Sequence, residues 1–79
     1  MWYLYIIYSP SFDKFYVGIS NDVVKRLLAH NNGKSSFTKR GIPWELKYSE
    51  SFIDKYAAAA REKEIKMKKS RLYIEALVK

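Results

Sequence analysis

Cysteine is absent from the 79-residue sequence, which excludes a disulfide framework and a thiolate zinc site. No linker, repeat or low-complexity segment interrupts it, so residues 1–79 are expected to form one small domain. No apolar run approaches the roughly 18 residues that would span a bilayer. The apolar start lacks the basic residues and the small-residue cleavage site of a signal peptide. We therefore expect a cytoplasmic protein that does not enter a membrane.

Acidic residues are few, with eight Asp and Glu against fifteen Lys and Arg, giving a net charge of +7. Such an excess favours a polyanionic partner such as DNA, RNA or an acidic membrane surface. Basic side chains cluster in the segment containing Lys34, Lys39 and Arg40, and again near Lys69. Phosphate contacts from such clusters give affinity without sequence preference. A basic surface with no nucleic-acid partner is the alternative interpretation of charge alone.

Hydrophobic residues make up 48% of the chain, enough to build a compact core and too many for a disordered tail. Strands are predicted over residues 1–8, 15–19 and 45–53 from their bulky apolar and aromatic content. A first helix should begin after the capping segment Ser20–Asp22 and end near Asn32, before Gly33. Two more helices are predicted over 55–69 and 71–78, capped by Asp54 and Ser70. The first helix should present an apolar face made of Val23, Val24, Leu27 and Leu28.

The element order is therefore β-β-α-β-α-α, which is typical of an α/β (α+β) domain. Residues 1–8 are apolar on both sides, so this strand is expected at the centre of the sheet. Placing it between the other two makes every neighbouring pair antiparallel. The prediction is a three-stranded antiparallel sheet of order 2-1-3, flanked by helices.

Several short motifs resemble the GIY-YIG nuclease superfamily when they are taken in order. The first two are Tyr3-Leu4-Tyr5 and Tyr16-Val17-Gly18, which resemble the two halves of the signature. The later matches are Arg26 and His30, Asn31-Asn32-Gly33-Lys34, Thr38, Pro43-Trp44 and Arg61-Glu62-Lys63-Glu64-Ile65-Lys66. Together they are most similar to the small stand-alone bacterial members, which resemble the N-terminal nuclease domain of the bacterial excinuclease.

The resemblance implies a nuclease that hydrolyses phosphodiester bonds with one divalent metal, Mg²⁺ or Mn²⁺. It implies that Tyr5 and Tyr16 position or deprotonate the attacking water, and that Glu62 binds the metal. Arg26 would hold the scissile phosphate, and His30 would bind phosphate or share the proton taken from water. Further phosphates would be held by Lys34, Lys39, Arg40 and Lys69. DNA is the favoured substrate over RNA, with low sequence specificity, and DNA repair is a natural setting.

Each of these residues also has an ordinary structural interpretation. Strand tyrosines usually pack a core, and a tyrosine with a pKa of about 10 is a poor base at neutral pH. Arg26 and His30 are four residues apart and could be a solvated charge and a residue at a helix end. Glu62 could form an i,i+4 salt bridge with Lys66. Glu64, its neighbour in the motif, should lie on the other side of the helix.

The match to the family is incomplete at a few positions. Tyr3 stands where the family name has glycine, Val17 replaces isoleucine, and Ile19 stands where some members carry lysine. Two other functions stay open. One is a non-catalytic nucleic-acid-binding module of the same fold, and the other is a protein-interaction domain that dimerises through exposed aromatics such as Trp2 or Trp44.

Overall fold

The computed structural model describes residues Met1–Lys79 and contains three strands and three α-helices. The chain runs through β1 (Trp2–Ser9), β2 (Lys14–Ser20), α1 (Val23–Asn31), a single 3₁₀ turn (Lys39–Gly41), β3 (Glu45–Phe52), α2 (Lys55–Lys68) and α3 (Arg71–Leu77). The sheet is antiparallel with strand order β2-β1-β3, so the predicted topology is confirmed.

The central strand β1 is covered on both sides. Its residues Leu4, Tyr5, Ile6 and Ile7 are each at most 1% exposed, as a strand without a solvent face requires. On the side called here the α2 face, Leu4 and Ile6 pack against Val17 and Ile65. On the opposite side, called the α1 face, Tyr5 and Ile7 pack against Trp44, with Val23 and Leu27 of α1 beside them. The period-two alternation of side chains therefore separates a core whose fully buried members are aliphatic from a core that contains Tyr5 and Trp44.

Helices α2 and α3 begin at the predicted capping residues, and α1 begins within the predicted capping segment Ser20–Asp22, where Asp22 is the cap and not a first-turn residue. The side chains of Asp22, Asp54 and Ser70 each accept a hydrogen bond from the backbone N–H three residues further on. Gly33 follows α1, and Lys69 caps the C-terminus of α2; both adopt positive φ angles. The helix starts and the end of α1 are thus set by local residues that the sequence identifies, whereas the left-handed Lys69 is not predicted by its residue type.

Two sequence-based expectations are wrong. Val24 and Leu28 are 70% and 58% exposed, because α1 contacts the sheet only along the side that carries Val23 and Leu27. Trp44 is only 5% exposed, since its indole packs against Gly41 and donates to the Thr38 carbonyl oxygen at 2.6 Å. Trp44 is therefore not a surface for dimerisation.

None of the three α-helices has the length and apolar character needed to cross a bilayer.

Candidate active site

A buried chain of hydrogen bonds connects Tyr5, His30 and Thr38 on the α1 face. The Tyr5 hydroxyl lies 2.9 Å from His30 Nε2, and His30 Nδ1 lies 2.7 Å from Thr38 Oγ1. Tyr5 is 1% exposed, and His30 and Thr38 are fully buried. Because every polar atom of this chain has a partner, the site contains a satisfied buried network.

The network joins three parts of the chain that are distant in sequence. Tyr5 comes from the central strand, and His30 from the last turn of α1. Thr38 comes from the loop that leads to β3, where its backbone carbonyl accepts from the Trp44 indole. The Asn31 side chain fixes the same loop by accepting from the Trp44 backbone N–H at 2.6 Å and donating to its carbonyl oxygen at 3.1 Å.

Sequence reasoning gave Thr38 and Asn31 no role, although both belong to the segments that resemble the family. Their partners lie 8 and 13 residues away, across a loop with no regular period. No helix or strand spacing could have paired them. The resemblance itself was the only available signal.

Gly18 makes room for the Tyr5 hydroxyl. The two residues are paired across β1 and β2, and a Cβ atom built on Gly18 would lie 2.6 Å from the Tyr5 hydroxyl oxygen. Any side chain there would have to displace the phenol from His30. The glycine of the Tyr-Val-Gly motif therefore has a steric reason to be glycine.

Tyr16 lies at the surface of the same cluster. Its ring centroid is 5.1 Å from that of His30 and 6.4 Å from that of Tyr5. The side chain is half-buried, lines a surface groove and makes no hydrogen bond within the protein. Of the two tyrosines, Tyr5 is engaged inside the protein and Tyr16 has its hydroxyl available to a ligand.

Arg26 lies one helical turn before His30 and is half-buried. Its charge reaches both members of the buried pair. Burial raises the pKa of Tyr5, and the nearby Arg26 guanidinium opposes that rise. Burial lowers the pKa of His30, and Arg26 lowers it further. Both side chains are therefore neutral at pH 7.

Arg26 takes part in none of the six ion pairs of the chain. The guanidinium lies close enough to the Tyr5 hydroxyl to act on its pKa, and no carboxylate of the chain pairs with it. It can therefore form paired hydrogen bonds with an anion from outside, such as a phosphate.

Glu62 of α2 belongs to the same electrostatic environment, since its carboxylate also raises the pKa of Tyr5. Its side chain is 24% exposed, and one oxygen accepts from Lys66 Nζ at 3.0 Å. Glu62 therefore forms the i,i+4 salt bridge with Lys66 that an ordinary helix glutamate would form. It also acts on the pKa of Tyr5, which the salt bridge does not explain. Glu64 pairs with Arg61 instead and takes no part in this cluster.

The four basic residues assigned to phosphate contacts are all exposed. Arg40 and Lys69 line two neighbouring grooves, and Lys69 is the residue at which α2 ends. Lys34 and Lys39 lie on the loop after α1, outside both grooves. None of the four is in an ion pair, so all of them present free charge to solvent.

The order and placement of these elements can be compared with known families. The family model of the GIY-YIG catalytic domain matches residues 1–74. The chain belongs to the GIY-YIG family. The match covers every strand of the sheet and all five residues placed in the candidate site, from Tyr5 to Glu62.

Relatives within the family are short bacterial proteins. A UPF0213 protein of Bacillus pumilus is 42% identical over 78% of this chain and 67% of its own length. The UPF0213 protein YazA of Bacillus subtilis is also 42% identical, over 80% of this chain and 68% of its own. The solution structure of a UPF0213 protein of Bacillus halodurans is 32% identical with a TM-score of 0.60, covering 99% of this chain and 83% of that one.

Membership of the GIY-YIG family makes this a domain of a nuclease family that acts on nucleic acid and generally uses divalent metals. No group of three or more His, Asp and Glu side chains is clustered to hold a metal by itself. Glu62 nevertheless fits a hard cation, because one carboxylate with substrate phosphate and water oxygens is a usual ligand set for Mg²⁺.

Proposed function

We propose that this protein is a divalent-metal-dependent endonuclease that hydrolyses phosphodiester bonds, with DNA as its substrate and low sequence specificity. The observation that carries the proposal is Arg26, which has no ion-pair partner, beside a buried, fully hydrogen-bonded Tyr5–His30 pair whose tyrosine pKa is also raised by the Glu62 carboxylate.

Arg26 holds the scissile phosphate in this proposal. Two parallel N–H groups of its guanidinium would bind two phosphoryl oxygens and stabilise the charge that develops as water attacks. The half-buried position strengthens this contact because the local dielectric is lower than that of bulk water. Lys34, Lys39, Arg40 and Lys69 would neutralise neighbouring phosphates.

The Tyr5–His30–Thr38 chain orients the water. The Thr38 hydroxyl points towards the Ser35 carbonyl oxygen at 3.5 Å, which leaves its oxygen to accept from the His30 Nδ1–H group. His30 Nε2 is then unprotonated and accepts the Tyr5 O–H. With its hydrogen donated to His30, the Tyr5 oxygen would act as the acceptor for the attacking water in this proposal. Burial of His30 with both nitrogens occupied favours proton sharing through Tyr5 over direct phosphate contact.

Glu62 would hold the divalent cation, Mg²⁺ or Mn²⁺, through its carboxylate. When bound, such an ion polarises a phosphoryl oxygen and favours departure of the leaving oxygen. Lys66 would release or share the Glu62 carboxylate oxygen that it contacts at 3.0 Å. Tyr16, with its unengaged hydroxyl, would contact the water or the phosphate at the mouth of the site.

The experiment compares cleavage of labelled single-stranded, duplex and branched DNA and RNA by the native protein, Glu62→Gln and Glu64→Gln. Each reaction is run with Mg²⁺, with Mn²⁺ and with chelator. Glu62→Gln should lose cleavage by at least about a hundredfold, since it removes the only assigned metal ligand. Glu64→Gln is the matched control on the same helix and should cut at close to the native rate.

Cutting that persists in chelator, or that Glu62→Gln and Glu64→Gln reduce equally, would reject the assignment of Glu62. Salt-sensitive binding with no metal-dependent product would favour the alternative, a non-catalytic nucleic-acid-binding module of the same fold. The exposed basic residues and the unpaired Arg26 support both the nuclease and the binding module. The buried Trp44 argues against a domain that dimerises through this residue. The proposal keeps the expected cytoplasmic location and the expectation of a role in DNA repair.

A further inference from the structure

Two grooves meet at Phe37, next to the candidate active site. The larger has a volume of about 660 Å³ and is lined by Tyr16, Phe15 and Ile74 together with basic residues from the end of α2. The smaller has a volume of about 540 Å³ and lies between Phe12, Trp44 and Arg40. Both volumes fall within the range usual for small-molecule sites.

Phe37 is the wall that the two grooves share. Its side chain is 77% exposed, although its ring centroid lies only 5.5 Å from that of Tyr16. Phe15 and Lys14 also line both grooves. Apart from its contact with Tyr16, this apolar ring stands in solvent between two hollows, so folding removes little of its surface from water.

The charge around the grooves has one sign. The larger is bordered by Lys14, Lys66, Lys69 and Arg71, and the smaller by Lys14 and Arg40. None of the eight acidic residues of the chain lines either groove. Lys14, Lys69 and Arg40 have no ion-pair partner. The grooves therefore suit a ligand that combines negative charge with flat apolar faces.

Single-stranded nucleic acid has this combination. Proteins that bind it use a positively charged groove and aromatic side chains on which unpaired bases stack. A regular duplex would offer the same phosphates, but its bases are stacked on one another and their faces cannot reach Phe37. An acidic peptide would match the charge and would leave the exposed ring without a planar partner.

We propose that Phe37 inserts between two consecutive unpaired bases of the substrate, one in each groove, while Lys14, Lys69 and Arg40 hold the flanking phosphates. The inference rests on the proposed nuclease function, because it places these bases beside the phosphate held near Tyr16. It defines the substrate class as nucleic acid that is single-stranded at the cleavage site.

Binding of a fluorescein-labelled oligothymidylate and of a labelled blunt-ended DNA duplex tests this in chelator, which removes the metal proposed for cleavage. Phe37→Ala should weaken oligothymidylate binding about fivefold to a hundredfold, from the usual contribution of one base stack, and leave binding of the blunt-ended duplex unchanged. Phe37→Tyr should bind as the native protein does. Tyr56→Ala, which removes another aromatic ring that is 85% exposed, should also bind as the native protein does.

Salt dependence separates stacking from charge. Lys14→Gln should reduce the slope of log affinity against log salt by about 0.7, the value for one phosphate contact on a single strand. Phe37→Ala should leave that slope unchanged because it removes no charge. Thermal unfolding of each variant confirms that the fold is retained.

Three results would overturn the inference. Phe37→Ala could leave oligothymidylate binding intact, or weaken binding of oligothymidylate and of the blunt-ended duplex by the same factor. Polyglutamate could bind as tightly as oligothymidylate, which would mean that charge alone accounts for the affinity. Since these measurements need no cleavage, they are independent of the Glu62 experiment, and each proposal can fail while the other stands.

Discussion

Arg26 and Arg61 are both half-buried arginines on helices that pack against the same sheet, yet their surroundings are opposite. Arg61 donates to both Glu50 oxygens at 3.0 and 3.1 Å, to Glu64 at 2.8 Å and to the Tyr73 hydroxyl at 3.1 Å. Arg26 has no carboxylate partner at all. The difference separates an arginine that holds the fold together from one whose charge no carboxylate of the chain pairs, as the proposed phosphate contact requires.

The surroundings of Arg61 explain why it is so fully paired. Glu50 lies on β3, Arg61 on α2 and Tyr73 on α3, so one guanidinium joins three elements. The Arg61 guanidinium holds the pKa of Glu50 below its usual range, and the Tyr48 hydroxyl also donates to Glu50. The shifted pKa means that this pairing stabilises the folded state at neutral pH and is lost as Glu50 is protonated in acid.

The largest effect is expected from Arg26→Ala. Cleavage should fall by about a hundredfold to a thousandfold, as for loss of one group that stabilises transition-state charge. The midpoint of thermal unfolding should stay near the native value, because no folded-state ion pair is lost. Cleavage kinetics and a thermal melt on the same preparation give both quantities.

Arg26→Lys sharpens that prediction, since it keeps the charge and removes the bidentate geometry. It should recover only part of the activity. If the Tm of Arg26→Ala fell as far as the Tm of Arg61→Met, Arg26 would also stabilise the fold. That result would contradict the proposal that only Arg61 has a structural role.

The second effect is expected from Arg61→Met, which removes the charge and keeps an apolar stem. It leaves Glu50 without its partner, and since about a fifth of each side chain is exposed, we expect a loss of about 2 kcal/mol, below the range for a fully buried pair. For a domain of this size that is a drop of about 10 °C in Tm.

Cleavage by Arg61→Met, measured well below its Tm, should remain close to native. A rate that falls a hundredfold in a folded Arg61→Met protein would show that the arginine of the α2 motif also acts at the site. Double-mutant cycles with Glu50→Gln would then measure how much of the effect passes through their contact.

The smallest effect is expected from Thr38→Val, which keeps the shape of the side chain and removes the acceptor for His30 Nδ1. Leaving that buried N–H without a partner should cost about 1 kcal/mol or somewhat more. Thr38→Ser retains the hydroxyl and is the matched control. Urea unfolding of the three proteins measures the free-energy difference.

The pH profile distinguishes a positioning role of Thr38 from a structural one. His30 must be neutral to accept from Tyr5, and its pKa is lowered below the usual 6.5. Native cleavage should therefore persist at pH 6.5 and decline only as the pH falls through that lowered pKa. Thr38→Val should shift the pH at which cleavage declines in acid, and Thr38→Ser should leave that pH unchanged. Identical profiles for all three would leave Thr38 a structural residue only.

The sequence by itself determined most of the fold. Residues 1–8 are apolar in both alternating sets, which required a central strand, and the resulting order 2-1-3 is confirmed. The segment Ser20–Asp22 and the residues Asp54 and Ser70 marked the helix starts, because capping depends on contacts within three residues. The family and the candidate residues Tyr5, Tyr16, Arg26, His30 and Glu62 could also be read from motif order, although their roles remain predictions.

Only the tertiary structure decided which side chains meet. Helical periodicity assigned Val24 and Leu28 to an apolar face, but α1 packs along one edge of that face and leaves both in solvent. Thr38 joined His30, and Phe37 came to stand between two grooves, because a loop without regular spacing is held in place by Trp44 and Asn31. Local patterns set the elements through short-range contacts, whereas pairing across a loop depends on how those elements pack.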